Sequence, residues 1–176
     1  MGALSKLSVL YFTVLSCIVL YGQEEVPWRS DLKLNWNHFK GEVPMGSGAA
    51  ATTASGISYR FSTFYENGKM KLEYSVYAFF YPTESWYKPK ICNDVTLSHE
   101  RLHFDISELF ARKMDEEMAK TSFTKNVKQE VRAIYKKTLR ELNMFQNEYD
   151  IETNYSRNVP QQKHWIAKIQ RALSSD

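Results

Sequence analysis

Between Leu32 and Tyr81 apolar and polar residues alternate, Tyr, Phe, Thr and Ser are abundant, and turn-formers interrupt the runs. A period of two sends successive side chains to opposite faces of a pleated strand, so this part of the chain is predicted to be β. Three strands are expected: Leu32 to Phe39 (LKLNWNHF), Gly56 to Tyr65 (GISYRFSTFY) and Met70 to Tyr81 (MKLEYSVYAFFY). Between the last two stands Glu66 to Lys69 (ENGK), in which Asn67 and Gly68 both tolerate the positive φ of a tight primed turn. A hairpin follows from that pair. Pro44 to Ala54, small and polar, reads as a flexible connection.

After Pro89 the period changes to that of a helix. Leu97, Leu102, Ile106, Leu109 and Phe110 recur at helical spacing, predicting a helix from Val95 to Ala119 capped by Asn93 or Asp94. A second is expected from about Lys125 to Tyr149, with Val127, Val131, Ile134, Tyr135, Leu142 and Phe145 on its apolar face. A third, Gln161 to Leu173, carries Trp165, Ile166 and Ile169. Strands followed by helices predict an α+β fold, an N-terminal antiparallel sheet packed on about three C-terminal helices.

The chain has 176 residues and a formal net charge of +3. Its start reads as a secretory signal peptide over residues 1–22: Lys6 supplies the positive end, Leu7 to Leu20 the apolar run, and cleavage is expected after Gly22. That run is shorter than the ~18 apolar residues of a spanning helix. Lipidation of Cys17 is the minor alternative, because the apolar run continues past it. Residues 23–176 are then expected to form one domain in a periplasmic or extracellular location, with no membrane attachment. Its basic residues are scattered among acids, so nothing favours nucleic acid. Cys92 alone remains after cleavage, which excludes an internal disulfide and suggests a small buried apolar residue.

One stretch carries candidate chemistry. TLSHERLHFDIS, Thr96 to Ser107, contains H-E-x-x-H on the first predicted helix. Each helical residue turns ~100°, so His99 and His103 lie within about 40° of one another on adjacent turns. Their nitrogens can close on one zinc ion, while Glu100, facing a neighbouring direction, is free to act as a general base. A catalytic zinc takes three protein ligands and keeps one position open. Glu108, about 140° around from His103, points away, and Asp105 is likewise turned aside. The third ligand must come from elsewhere, and Asn147 to Asn158 (NEYDIETNYSRN) offers Glu148, Asp150, Glu152 and Tyr155.

Several segments together are similar to the bacterial DUF922 family: LNWNHFKGEVP (Leu34 to Pro44), AATTASGISY (Ala50 to Tyr59), ESW (Glu84 to Trp86), SHERLHFDISELFAR (Ser98 to Arg112), and a tail with Tyr149, Asp150, Thr153, Gln162 and Trp165. The resemblance implies a secreted zincin-like metalloprotease with Zn2+ as cofactor and a peptide or protein as substrate. Where relatives carry a histidine after the Y-D-x-x-T pattern, this chain has Tyr155. Asp150 or Tyr155 is therefore expected to complete the site, Asp150 being already ionised at neutral pH and the phenol starting near ~10.

Other residues read as structural. His38 and His164 have no partner at ligand spacing, and Trp36, Trp86 and Trp165 suit packing. Arg112 is expected to pair with a carboxylate, and Asp115 to Lys120 to form a solvated helix end. The expected function is a secreted zinc metallopeptidase, with an edge strand from Gly56 to Tyr81 holding an extended peptide. The rival is a non-catalytic envelope module that keeps the fold and binds partners.

Overall fold

The computed structural model describes residues 24–174, so the expected signal peptide and Cys17 lie outside the described residues. In chain order the elements are β1 (Val26–Pro27), β2 (Ala51–Thr52), β3 (Ser55–Glu66), β4 (Lys69–Phe80), β5 (Trp86–Tyr87), α1 (Asp94–Lys120), α2 (Val127–Glu152) and α3 (Val159–Leu173). β3 and β4 form the expected hairpin, in register from Ser55 opposite Phe80 to Glu66 opposite Lys69. Asn67 and Gly68 sit at φ 51° and 74°, the left-handed pair that a primed two-residue turn requires.

The first strand is a correction. Leu32 to Phe39 is not in the sheet; it is a loop ending in one 3-10 turn, Trp36–His38. The Asn37 N–H donates to Asn35 Oδ1 at 3.0 Å, and the Asn35 N–H donates to His38 Nδ1 at 2.9 Å. These local bonds use main-chain groups that a ladder would need. The apolar residues still go inward: Leu34 and Phe39 are buried, and Trp36 stacks on Tyr87 at 4.4 Å. The third strand is β1 instead, giving the antiparallel order β1-β4-β3, with Pro27 tolerated at an edge.

Pro44 to Ala54 is also more than a connection. Its Ala51 and Thr52 form β2, paired antiparallel with Tyr87 and Trp86 of β5, and the Lys88 N–H donates to Ala50 O at 2.8 Å. Gly41 permits the approach of the loop that follows the hairpin: a Cβ there would lie 2.8 Å from Thr83 O and 2.9 Å from Ser85 O.

α1 lies against both long strands and both other helices. Asn93 caps it, its Oδ1 accepting from the N–H groups of Val95 and Thr96. α2 runs antiparallel to α1, as three bridges show: Lys137 to Glu117, Gln146 to His103 O, and Asp150 to His99. One hydrophobic cluster joins Ile57, Ala78 and Phe80 of the sheet to Leu102, Ile106, Phe110 and Met114 of α1, Val131 and Leu142 of α2, and Trp165 and Ile169 of α3. The structure is α+β, an N-terminal antiparallel sheet packed on three C-terminal helices.

Among the described residues no helix is long and apolar enough to cross a membrane. Cys92 is half-buried rather than buried, and its thiol donates to Ala50 O at 3.2 Å. Arg112 pairs with Glu108 one turn earlier, Nε to Oε1 3.0 Å. Of Asp115 to Lys120 most is at the surface, but Met118 faces the core at 1% exposure.

Candidate metal centre

His99 and His103 share the inner face of α1 because they are four residues apart, and α2 crosses that face antiparallel. Tyr149 on α2 and Thr153, the C-cap residue four positions later, are both fully buried, which sets Asp150 beside the two rings. Asp150 Oδ1 lies 3.0 Å from His99 Nε2 and 3.1 Å from His103 Nε2, and the two nitrogens are 3.3 Å from each other. Among the described residues these three side chains form the His, Cys, Asp or Glu group able to hold a metal ion.

The second layer of contacts holds the rings in place. Tyr149 stacks on His99 at 4.4 Å and meets His103 edge-on at 5.1 Å. Its hydroxyl donates to His99 O at 3.4 Å. Thr153 Oγ1 donates to Tyr149 O at 2.7 Å and lies 3.5 Å from His99 Nδ1, leaving its oxygen to accept from that ring nitrogen. Donation from Nδ1 makes Nε2 the lone-pair side of His99, directed at Asp150. Gln146 Nε2 donates to His103 O at 3.3 Å.

Electrostatics follow the same geometry. Burial alone lifts the Asp150 carboxyl, but the His103 and His99 rings at its Oδ1 outweigh burial and hold the group well below the usual carboxylate range. Burial pushes the His103 ring down, while the Asp150 hydrogen bond and the Glu100 and Asp150 charges lift it above its ordinary value. Burial, with the charges of Glu100 and Asp150, drives the Tyr149 phenol far upward, so it stays neutral.

Glu100 is 5% exposed and is held from the strand side: Thr53 Oγ1 donates to its Oε2 at 2.7 Å. Glu100, His99, His103 and Asp150 line one cavity of about 550 Å³, walled by Gly48 to Thr53 on one side and by Tyr155, Ser156 and Arg157 on another. Tyr155 and Ser156 of that second wall, and Asn154 just before them, have φ of 52°, 75° and 48°.

The remaining candidates fall elsewhere. Tyr155 stands on the cavity wall, 60% exposed, and its phenol meets no partner among the described residues. Glu148 is exposed, and Glu152 accepts from Trp165 Nε1 at 2.7 Å and Gln161 Nε2 at 2.6 Å. Asp105 accepts from Trp28 Nε1 at 2.9 Å. His38 serves the 3-10 turn, and His164 is exposed. Thr53, Gln146 and the packing roles of Tyr149 and Thr153 were not expected from sequence. Their signal was the i, i+4 spacing of Tyr149 and Thr153, hidden by ending the second helix at Tyr149 when it continues to Glu152.

The arrangement defines an α+β domain with a two-histidine, one-carboxylate cluster at a helix crossing, opening on a cavity. Residues 91–157, which carry all three of those side chains, match the family model DUF922, described as a bacterial protein of unknown function. Over that segment the chain is similar to the DUF922 family. No curated protein and no solved structure matches the chain.

Proposed function

We propose that the protein is an exported zinc metallopeptidase of zincin-like architecture, with His99, His103 and Asp150 as metal ligands and Glu100 as general base. The observation that carries the reading is the meeting of two Nε2 atoms and one Oδ1 within 3.0–3.3 Å of one another. Two imidazole nitrogens aimed at each other and at one oxygen compete for a single proton position, whereas one cation satisfies all three lone pairs. Ligand atoms ~2.0–2.1 Å from a tetrahedral zinc lie about 3.3 Å apart, so the residues fit the ion. Two nitrogens and one carboxylate are also a ligand set of catalytic zinc, three from protein with a position left open.

A zinc ion bound there supplies Lewis acidity, which makes water nucleophilic near neutral pH and polarises a carbonyl. The chain's own residues do the rest. Glu100 takes a proton from the attacking water on Oε1, since Oε2 is engaged by Thr53, and delivers it to the departing amine nitrogen. The Thr53 hydroxyl keeps the carboxylate turned into the cavity. Main-chain pairing holds the substrate. Ala50 bonds toward β5, so by antiparallel alternation Ala51 and Thr53 direct their N–H and C=O groups to the free edge of that ribbon. That edge belongs to the Gly48 to Thr53 wall of the cavity, which suits an extended peptide better than the Gly56 to Tyr81 hairpin. Export is supported by Lys6 followed by the apolar run Leu7 to Leu20.

The test is zinc content per chain together with cleavage of a mixed peptide library by wild type and Glu100→Gln. Stoichiometric zinc in both with cleavage in wild type alone is expected. Absence of zinc, or equal cleavage by both, refutes the assignment; zinc without cleavage in either supports the non-catalytic binding module.

A further inference from the structure

We infer that Arg157 selects the ligand of this cavity, and that the ligand is a peptide presenting a carboxylate, either its free C-terminus or an acidic side chain. The inference rests on the peptide reading above and adds the substrate class. Arg157 is the one Lys or Arg among the fifteen residues that line the cavity. Its guanidinium has no hydrogen-bond or ion-pair partner among the described residues. The anions already in the cavity are committed elsewhere: Glu100 to Thr53, and Asp150 to the two histidines. A planar five-donor cation on the wall of a cavity, with no internal carboxylate to neutralise it, is arranged to take a carboxylate from a ligand in a two-point hydrogen bond.

The backbone that carries Arg157 is the second, independent observation. Asn154, Tyr155 and Ser156 are all left-handed, a conformation costing roughly 1–2 kcal/mol per residue for side chains other than Gly, with Asn the mildest case. Such strain persists where surrounding bonds enforce it, and it concentrates at ligand sites. Here the enforcing bonds are visible: the Tyr155 N–H donates to Asp150 O at 2.9 Å, the Arg157 N–H to Asn154 O at 3.2 Å, and the Asn158 N–H to Thr153 O at 2.7 Å. The turn therefore springs directly from Asp150 and Thr153, the residues that brace the histidines. It fixes the main chain of Arg157 relative to the histidine–aspartate cluster, from which the exposed side chain lines the cavity. The opposite wall is built from Gly48, Ala49, Ala50, Ala51, Thr52 and Thr53, which carry no charge and leave room for a main chain. Charge discrimination in the cavity thus falls to Arg157.

The experiment measures fluorescence anisotropy of N-terminally labelled, alanine-rich octapeptides on the zinc-treated protein in the Glu100→Gln background, which leaves the peptides uncut. Three peptides are compared: a neutral one with an amidated C-terminus, the same with a free C-terminus, and an amidated one with an internal glutamate. At least one carboxylate peptide is expected to bind about tenfold tighter than the neutral one, the range of a charge-assisted hydrogen bond. The arm that shows the gain identifies the source of the carboxylate. Arg157→Gln should abolish the gain with neutral-peptide affinity unchanged, and Arg157→Glu should transfer the preference to an amidated peptide containing lysine. No preference in the parent protein, a preference that survives Arg157→Gln, or no binding of any peptide overturns the inference. The same three affinities measured after zinc removal, beside the zinc content, separate its failure from failure of the metal assignment.

Discussion

Replacing Asp150 by Asn tests the cluster at its centre. The substitution keeps the shape of the side chain and removes the anionic oxygen that sits 3.0 and 3.1 Å from the two ring nitrogens. If the proposed ligand set holds, free zinc at about 100 times Kd should stabilise the fold by about 2.7 kcal/mol. A domain of this size shifts by ~2–4 °C per kcal/mol, so Tm should rise by roughly 5–11 °C on adding the metal. Loss of a residue that merely orients a metal ligand weakens affinity up to about 100-fold, and loss of a ligand should do at least that. At the same free zinc the ratio of metal to Kd falls to about 1, leaving about 0.4 kcal/mol and a shift of about 1–2 °C. Tyr155→Phe is the companion variant, and because its phenol stands on the wall it should keep the full shift. The assay is a thermal melt at buffered free zinc, read by circular dichroism. An unchanged zinc-dependent shift in Asp150→Asn, or its loss in Tyr155→Phe, would refute the ligand set.

Three further outcomes are expected. Thr53→Val should destabilise the fold by about 1.5 kcal/mol or more in denaturant titration, since a buried carboxylate oxygen loses its donor, and Thr53→Ser should restore it; equal midpoints for all three proteins would contradict this. Gly41→Ala should cost ~1–3 kcal/mol because its Cβ would press on two main-chain carbonyls that have nowhere to retreat, and a melting temperature within a degree of wild type would show that the loop yields. Burial raises the Glu108 carboxyl above its ordinary value against the lowering effect of Arg112, so the folded state binds this proton more tightly than the unfolded chain. Stability from this group is complete below the ordinary carboxyl range and declines as pH climbs through the raised value. Glu108→Gln should therefore gain on wild type between acid and neutral pH in paired melts, and the opposite slope would mean that the ion pair dominates.

Local chemistry made much of this legible. The positive-φ pair Asn67-Gly68 specified the hairpin and its register, and the helical recurrence of Leu97, Leu102, Ile106 and Phe110 located α1 together with its buried face. His99 and His103 were readable as a pair because a helix enforces their alignment without outside help. Leu32 to Phe39 misled because its alternation serves core burial, while Asn35 and His38 satisfy the main chain locally and remove it from the sheet.

What the linear chain determined by itself is whatever depends on neighbours within a turn or two: the strand hairpin, the three helices, and the two rings on one face of α1. Only the tertiary structure set Asp150, rather than Glu148, Glu152 or Tyr155, beside the two rings, because that placement depends on the angular phase of α2 where it crosses α1. Only it brought Thr53 to Glu100 across 47 positions of sequence, and Arg157 onto the wall of their cavity. Contacts of that kind arise from packing two faces together, and no periodicity along either segment encodes the depth at which they meet.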